Sequence, residues 1–416
     1  MSSSPPRLDP PPAAVRPSGL AAVAARAPLG LWITVLALLT AVAPLATDVY
    51  LPALPEVAAQ LGSSASAIQL TLTAFLVGLA AGQLVIGPLS DGWGRRRLLL
   101  AGTVLCLVAS VACAVAPTTG VLVVARFLQG FGGAAGVVLS RAVITDRTTG
   151  DRAVRLFSVM MAINGIAPVV APLLGSSLLG VVGWRGIFLA LALLALLMAL
   201  GAAGAVPETL PAERRVRGGL RRTGRDVRSA LGRRRYLGYT LAFALAFATM
   251  FAYISGSPFV LQETLGLSTG WYALAFGVNA AGLTVASLVG GRLVGRVGAR
   301  RLLAVGVAAL LVLAVAYLVV VLAGAPRWPA LVVLFLAVTS LGLVLGNGAA
   351  LASAEVCDIA GTGSALLGAL QFGLGAVVSP LVGSSPLVMA VVMVVASGLA
   401  VLALATLARD PRGAAA

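Results

Sequence analysis

The sequence predicts an all-α integral membrane protein of twelve transmembrane helices in two six-helix, pseudo-symmetric halves. Three observations predict it. The 416-residue chain is 60% apolar and only 10% charged, whereas soluble domains carry about a quarter charged residues. Its apolar stretches divide into twelve runs, each near the roughly 20 residues a spanning helix needs. A short polar turn also recurs. Residues 87–97, GPLSDGWGRRR, return 204 positions later as a weaker copy. There Gly291, Leu293, Gly298, Arg300 and Arg301 stand for Gly87, Leu89, Gly94, Arg96 and Arg97, and Gly295 stands for Asp91. So long a fixed period marks an internal duplication, and in an apolar chain it points to a transporter built from structural repeats.

In chain order, residues 1–27 are Pro-, Ala- and Ser-rich with scattered arginines, and lack the compact apolar core of a cleaved signal. They read as a disordered cytoplasmic tail. The first half, 28–206, holds spans at 29–51, 66–87, 98–116, 119–141, 153–180 and 184–206. Residues 207–235 form the one long polar segment inside the chain, a linker with ten of the 29 basic residues. The second half, 236–408, holds spans at 236–261, 270–291, 301–323, 328–350, 360–382 and 385–408, and 409–416 is a short tail. Arginines in the 88–97 turn, the 142–155 link, the linker and the 292–301 turn alternate with links nearly free of them, which places both termini in the cytoplasm of a cell that carries the protein in its inner or plasma membrane. Arg185 and Arg327 are exceptions at outer ends. The inner link after the tenth span carries Glu355 and Asp358, and one expectation is a latch between these acids and the Arg95, Arg96 and Arg97 turn. The alternative is solvated loop charge, since exposed pairs contribute little. The linker faces the inner leaflet, or binds a specific lipid or partner.

The net charge of +16 is the loop charge of a membrane protein, not a nucleic-acid face. With no His in the chain, proton traffic near neutral pH falls to carboxylates. Cys106 and Cys113 share one apolar run and Cys357 lies far off, a pattern of packing residues with no metal-ligand spacing.

Asp48 is the only carboxylate well inside an apolar run. A charge there costs at least about 2.5–3.5 kcal/mol, and intramembrane ionisable residues are functional by default. Its bland alternative is a cap on the turn before Pro52 and Pro55. Arg126, about two turns into the fourth span, should lie at similar depth, so the two are expected to pair or to be bridged by substrate. A carboxylate at Asp91 suits a helix N-terminus. Gly165, Pro168 and Pro172 should bend the fifth span and admit a close neighbour. An aromatic stripe, Tyr236, Tyr239, Phe243, Phe247, Phe251 and Tyr253, runs down the seventh span. With Tyr50, Asn164, Asn279, Asn347 and Gln371 it offers an apolar cavity with a few amides and one charge pair, suited to an amphiphilic small molecule, although any one of these is also an ordinary packing residue.

The duplicated turn and the twelve spans resemble the major facilitator superfamily. TDVYLPALPEVAAQL at 47–61, RFLQGFGGAAG at 126–136, GIAPVVAPLLG at 165–175, GWRGIF at 183–188 and GALQFGLGA at 368–376 resemble its drug–proton antiporters, the bicyclomycin and chloramphenicol resistance branch above all. The resemblance covers about residues 28–408. It implies that Asp48 handles protons and substrate and that Arg126 is a required cavity residue. It also implies a gate in which Gly87, Asp91, Gly94, Arg95, Arg96 and Asp146 close against the start of the eleventh span at 361–364. The motif with Gly165, Pro168 and Pro172 points to export. Multidrug relatives carry a second acid where this chain has Thr40, so coupling would rest on Asp48 alone. The expectation is therefore a monomeric, non-enzymatic efflux transporter without a cofactor, driven by the proton gradient and moving a small drug-like substrate through the lipid bilayer. The alternative is proton-coupled movement of an endogenous metabolite such as an amino acid or sugar, in either direction.

Overall fold

A computed structural model describes residues 29–148, 150–211, 213, 215 and 219–408. The expected tails at 1–27 and 409–416 lie outside the described residues. All regular structure among the described residues is helical: α1 (Leu29–Asp48), α2 (Leu54–Gln60), α3 (Ala65–Trp93), α4 (Arg95–Ala114), α5 (Thr119–Arg147), α6 (Gly150–Ala205), α7 (Gly219–Gly232), α8 (Arg234–Phe259), α9 (Thr269–Val297), α10 (Ala299–Leu322), α11 (Arg327–Ala354), α12 (Ala360–Val382) and α13 (Pro386–Leu407).

Eleven helices of the described residues are long and apolar enough to cross a membrane. One of them, α6, holds the fifth and sixth expected spans. It breaks at Gly183, whose φ of 65° and ψ of −179° belong to glycine and turn the chain back without a loop. The other early surprise is α2. Pro52 and Pro55 sit at the starts of a short 3-10 turn and of α2, where a missing N–H costs nothing, so the chain after Asp48 coils into a small helix at the membrane face.

The ends of the long helices follow from their residues. At one face Ser64, Thr118, Ser268 and Ser385 accept backbone N–H bonds at the starts of α3, α5, α9 and α13, as N-caps do. At the opposite, arginine-rich face the two copies of the duplicated turn pass through Gly94 (φ 95°) and Gly298 (φ 86°). Both copies need glycine at this position, because the backbone there is left-handed. Apolar side chains such as Val181, Leu288 and Val312 stay exposed around the bundle, on the surface that lipid chains would cover.

The two halves meet along two seams, α3 with α12 and α6 with α9. On the face away from the arginines the first seam is sealed by Gln69. Its Nε2 donates to Ser255 O (2.9 Å) and Gly383 O (2.8 Å), its Oε1 accepts from Gly383 N (3.0 Å), and its carbonyl accepts from Ser379 Oγ (3.3 Å). Thr73 Oγ1 adds a bond to Ala376 O at 2.9 Å. On the arginine-rich face the halves part around a cavity of about 590 Å³. There α7, within the linker, packs on both α3 and α12, seated by the fully buried Ala230.

Candidate substrate cavity and gates

Between the halves lies a second cavity of about 430 Å³, walled mainly by α1, α3, α6, α8, α9 and α12. Asp48, the last residue of α1, lines it and is only 5% exposed. Of the residues expected to meet substrate, Asn164, Phe247, Phe251, Tyr253, Asn279 and Gln371 all line this cavity. Asn279 Nδ2 donates to the Tyr253 hydroxyl at 2.7 Å, and Asn164 Nδ2 donates to Met160 O (2.9 Å) and Thr40 Oγ1 (3.3 Å). Thr40 thus ties α1 to α6 by a neutral bond where a second acid was expected in related chains. Of the α8 stripe, Tyr236, Tyr239 and Phe243 lie buried outside the cavity wall, with the Tyr236 hydroxyl bonded to Gly363 O at 2.8 Å. Asn347 turns back to Leu343 O in its own helix.

Tyr50 does not line the cavity. It is fully buried against Phe188, ring centroids 5.0 Å apart, and serves Arg126 instead. Arg126 is itself fully buried, and the expected ion pair with Asp48 is not formed. Its Nη1 donates to Ala46 O (3.0 Å) and Gln129 Oε1 (2.6 Å), and Gln129 passes the chain on to Ser110 in α4 at 2.8 Å. The rings of Phe75, Tyr50 and Phe188 stand 4.4, 5.2 and 5.7 Å from the guanidinium carbon, close enough for cation–π attraction. The physical reason is the end of α1. Ala46 lies in its last turn, where carbonyls lack partners and the dipole is negative, so the guanidinium caps that end and fixes the turn that carries Asp48.

The α6 motif divides in two. Gly165 and Pro168 line the cavity, and Thr284 Oγ1 of α9 donates to Gly165 O at 3.3 Å. Pro172 lies a turn further on, outside the wall. Because Pro168 and Pro172 have no N–H, the carbonyls of Asn164 and Pro168 lose their intrahelical partners, leaving acceptor groups on two cavity residues.

At the arginine-rich face Arg95 bridges Asp91 (2.6 Å) and Asp146 (3.4 Å) and also donates to Ser90 Oγ. Gly87, Asp91 and Arg95 form one wall of the cavity on this face, and Gly361, Thr362 and Ser364 at the start of α12 form the other. The expected contact between Asp91 and that helix start is therefore open in this conformation, since the cavity separates the halves there. Nor does the expected latch exist: Asp358 pairs with Arg233 at 2.5 Å, at the start of its own half, while Arg96 Nη2 donates to Ala203 O at 2.5 Å. Arg95, Arg96 and Asp358 thus find partners away from the gap.

Three functional positions escaped the sequence reading. Glu208, in the linker, accepts from Arg95 N (2.9 Å) and Arg96 N (3.3 Å), an anionic cap on α4 that also crowds Gly94. Gln69 seals the far face. Arg141, the last residue of the fourth expected span, lines both cavities. The signal for Glu208 was a lone carboxylate, in PETL at the start of the basic linker, 113 positions from the Arg95 it caps. A buried glutamine carries no such signal.

A bundle of spanning helices in two halves, enclosing a cavity sealed on one face and open on the other, defines a membrane transporter of the alternating-access kind. The profile of the Major Facilitator Superfamily matches residues 36–380, and the chain belongs to that superfamily. It is 38% identical over 350 residues, 84% of this chain and 87% of the relative, to the uncharacterized MFS-type transporter YdgK of Bacillus subtilis (strain 168). It is 29% identical over 354 residues, 85% of this chain and 89% of the relative, to the bicyclomycin resistance protein homolog of Haemophilus influenzae. The multidrug resistance protein MdtL of Escherichia coli (strain ATCC 8739) matches at 29% over 57% of this chain and 60% of its own length. Among solved structures a D-xylose–proton symporter superposes with a TM-score of 0.73 at 17% identity, covering 92% of this chain and 99% of that one, a likeness of fold. These matches bear out the expected fold, superfamily and resistance-type branch.

Proposed function

We propose that the protein is a drug–proton antiporter that exports small amphiphilic compounds of the phenicol or bicyclomycin kind, working as a monomer in the inner or plasma membrane with both termini in the cytoplasm. The observation that carries this reading is Asp48: one carboxylate, nearly buried, on the wall of a mostly apolar cavity. The printed names of the Haemophilus and Escherichia relatives support resistance by efflux. With the arginine-rich face cytoplasmic, the conformation described is open inward. Substrate enters against the aromatic wall of Phe247 and Phe251 and meets the Asp48 carboxylate. After the halves rock to open outward, a proton from outside neutralises Asp48 and releases the substrate. The protonated carrier returns and loses the proton to the cytoplasm. Asp48 carries one proton per cycle, and the gradient takes the place of any cofactor. Closing the inner side brings Asp91, with Arg95 and Asp146, to the N-terminus of α12, whose free N–H groups and positive dipole end attract it.

The test is fluorescence dequenching of a pH dye in acidified everted vesicles. Phenicols or bicyclomycin should release protons, and a lack of response to either and to lipophilic cations would contradict the reading. In the same vesicles Cys357, the exposed cysteine among the three, should react with an impermeant maleimide that leaves it unlabelled in intact cells.

A further inference from the structure

Arg141 carries an inference that deepens the export reading and rests on it. The residue lies 15 positions after Arg126 on α5, about 22 Å along the helix toward the cytoplasmic side. It belongs to the wall of the central cavity together with Asp48, and to the wall of the inner cavity as well. The two spaces therefore border on one side chain, and that residue is exposed.

Among the described residues no hydrogen bond or ion pair engages the Arg141 guanidinium, although acids stand nearby. Asp91 is held by Arg95 and Asp358 by Arg233. Asp48 likewise has no ion pair, with Arg141 or any other group. An unpartnered charge inside a membrane protein faces water or a ligand, because lipid and core cannot solvate it. Here two such charges, of opposite sign, stand on the walls of one cavity without meeting. The same wall carries the aromatic side chains of Phe247, Phe251 and Phe276. The neutral amide of Gln371 also faces the space, with no hydrogen-bond partner among the described residues.

We propose that Arg141 is a substrate-binding residue and that the cavity takes bipolar amphiphiles: an apolar or aromatic body with a carboxylate or similar planar acceptor at one end, directed to Arg141, and an amine or other donor at the other, directed to Asp48. Arginine suits this task because its planar fork meets a carboxylate with two parallel bonds. A bipolar molecule supplies both wall charges with the partners that the protein withholds. A simple cation satisfies Asp48 and leaves Arg141 to water.

The experiment uses three probes built on one aromatic ring: 4-(aminomethyl)benzoate, with the amine and the carboxylate at opposite ends, its methyl ester, carrying the amine alone, and its N-acetyl derivative, carrying the carboxylate alone. Binding to the full-length protein in nanodiscs is measured by calorimetry for wild type, Arg141→Gln and Arg141→Lys. Wild type is expected to bind 4-(aminomethyl)benzoate more tightly than either analogue. Arg141→Gln should weaken 4-(aminomethyl)benzoate and its N-acetyl derivative by about tenfold or more while the methyl ester stays within about twofold, which also certifies the fold of the variant. Arg141→Lys should recover part of the loss.

The assignment is overturned if Arg141→Gln affects all three probes alike or none of them, if wild type prefers the methyl ester, or if 4-(aminomethyl)benzoate fails to bind at millimolar concentration. If the true role of Arg141 is to pair with an acid as the inner gate closes, the variant slows transport with every affinity unchanged, which also overturns it. The vesicle assay separates this outcome from failure of the export reading. Phenicol- or bicyclomycin-driven proton release alongside an unresponsive Arg141 variant leaves export standing and removes the bipolar class, whereas vesicles silent to every compound remove export itself.

Discussion

At the scale of single residues, the same residue type does different work in the two copies of the duplicated turn. Gly94 and Gly298 share a left-handed backbone, but a Cβ at Gly94 would also strike the Glu208 carboxylate and approach Arg215, while one at Gly298 meets open space. Gly298→Ala should therefore cost only the strain of a left-handed alanine, about 1–2 kcal/mol. Gly94→Ala should cost more, because it also displaces the Glu208 cap on α4. Thermal unfolding of the two variants in detergent checks this, and equal losses would mean that Glu208 contributes nothing. Arg126 teaches a related lesson. Depth along the membrane normal, read from its position in the span, was right, yet the side chain meets the α1 carbonyl end and three aromatic rings instead of Asp48. Depth leaves the rotation of a helix about its axis undetermined, and orphan carbonyls are strong competitors for a guanidinium.

At the scale of elements, spans were legible because apolar length is a physical requirement of the bilayer. The junction of the fifth and sixth spans was also near its place, although the break between the two helices proved to be the single residue Gly183. The cavity wall was legible where polar or aromatic residues interrupted apolar runs, as at Asp48, Asn164, Asn279 and Gln371. It was illegible at Arg141, which closes an apolar run and so looks like an ordinary inner flank. The seam between α3 and α12 was equally hidden, since it depends on Gln69 meeting backbone groups of residues far away in the chain. Gln69→Leu leaves the Ser255 and Gly383 carbonyls and the Gly383 N–H without that partner, at about 1–3 kcal/mol for a buried orphan. That shifts the population toward the state open on that face by about fivefold to 150-fold. Spin labels at Ala59 and Thr264, both exposed on that face, should move apart in this variant, and an unchanged distance distribution would show that the seam closes without the glutamine.

At the scale of the whole molecule, duplication built a symmetric frame that the residues then made asymmetric. The first copy of the turn keeps Asp91 with its Arg95 and Asp146 partners, and the second has Gly295. Both ionisable groups of the cavity wall, Asp48 and Arg141, come from the first half, while much of the aromatic lining, Phe247, Phe251, Phe276 and Phe372, comes from the second. One half thus supplies charge and the other apolar surface, and their relative rocking decides which face of the membrane the charge can sample. The measurement that tests this most directly compares wild type with Asp48→Asn in two modes: export driven by a pH gradient, and exchange of labelled for unlabelled substrate with no gradient. Asp48→Asn should abolish the first and retain the second, because an amide can still line the cavity but cannot carry a proton. Gradient-driven export that survives in Asp48→Asn would contradict the account and place the coupling proton on another group.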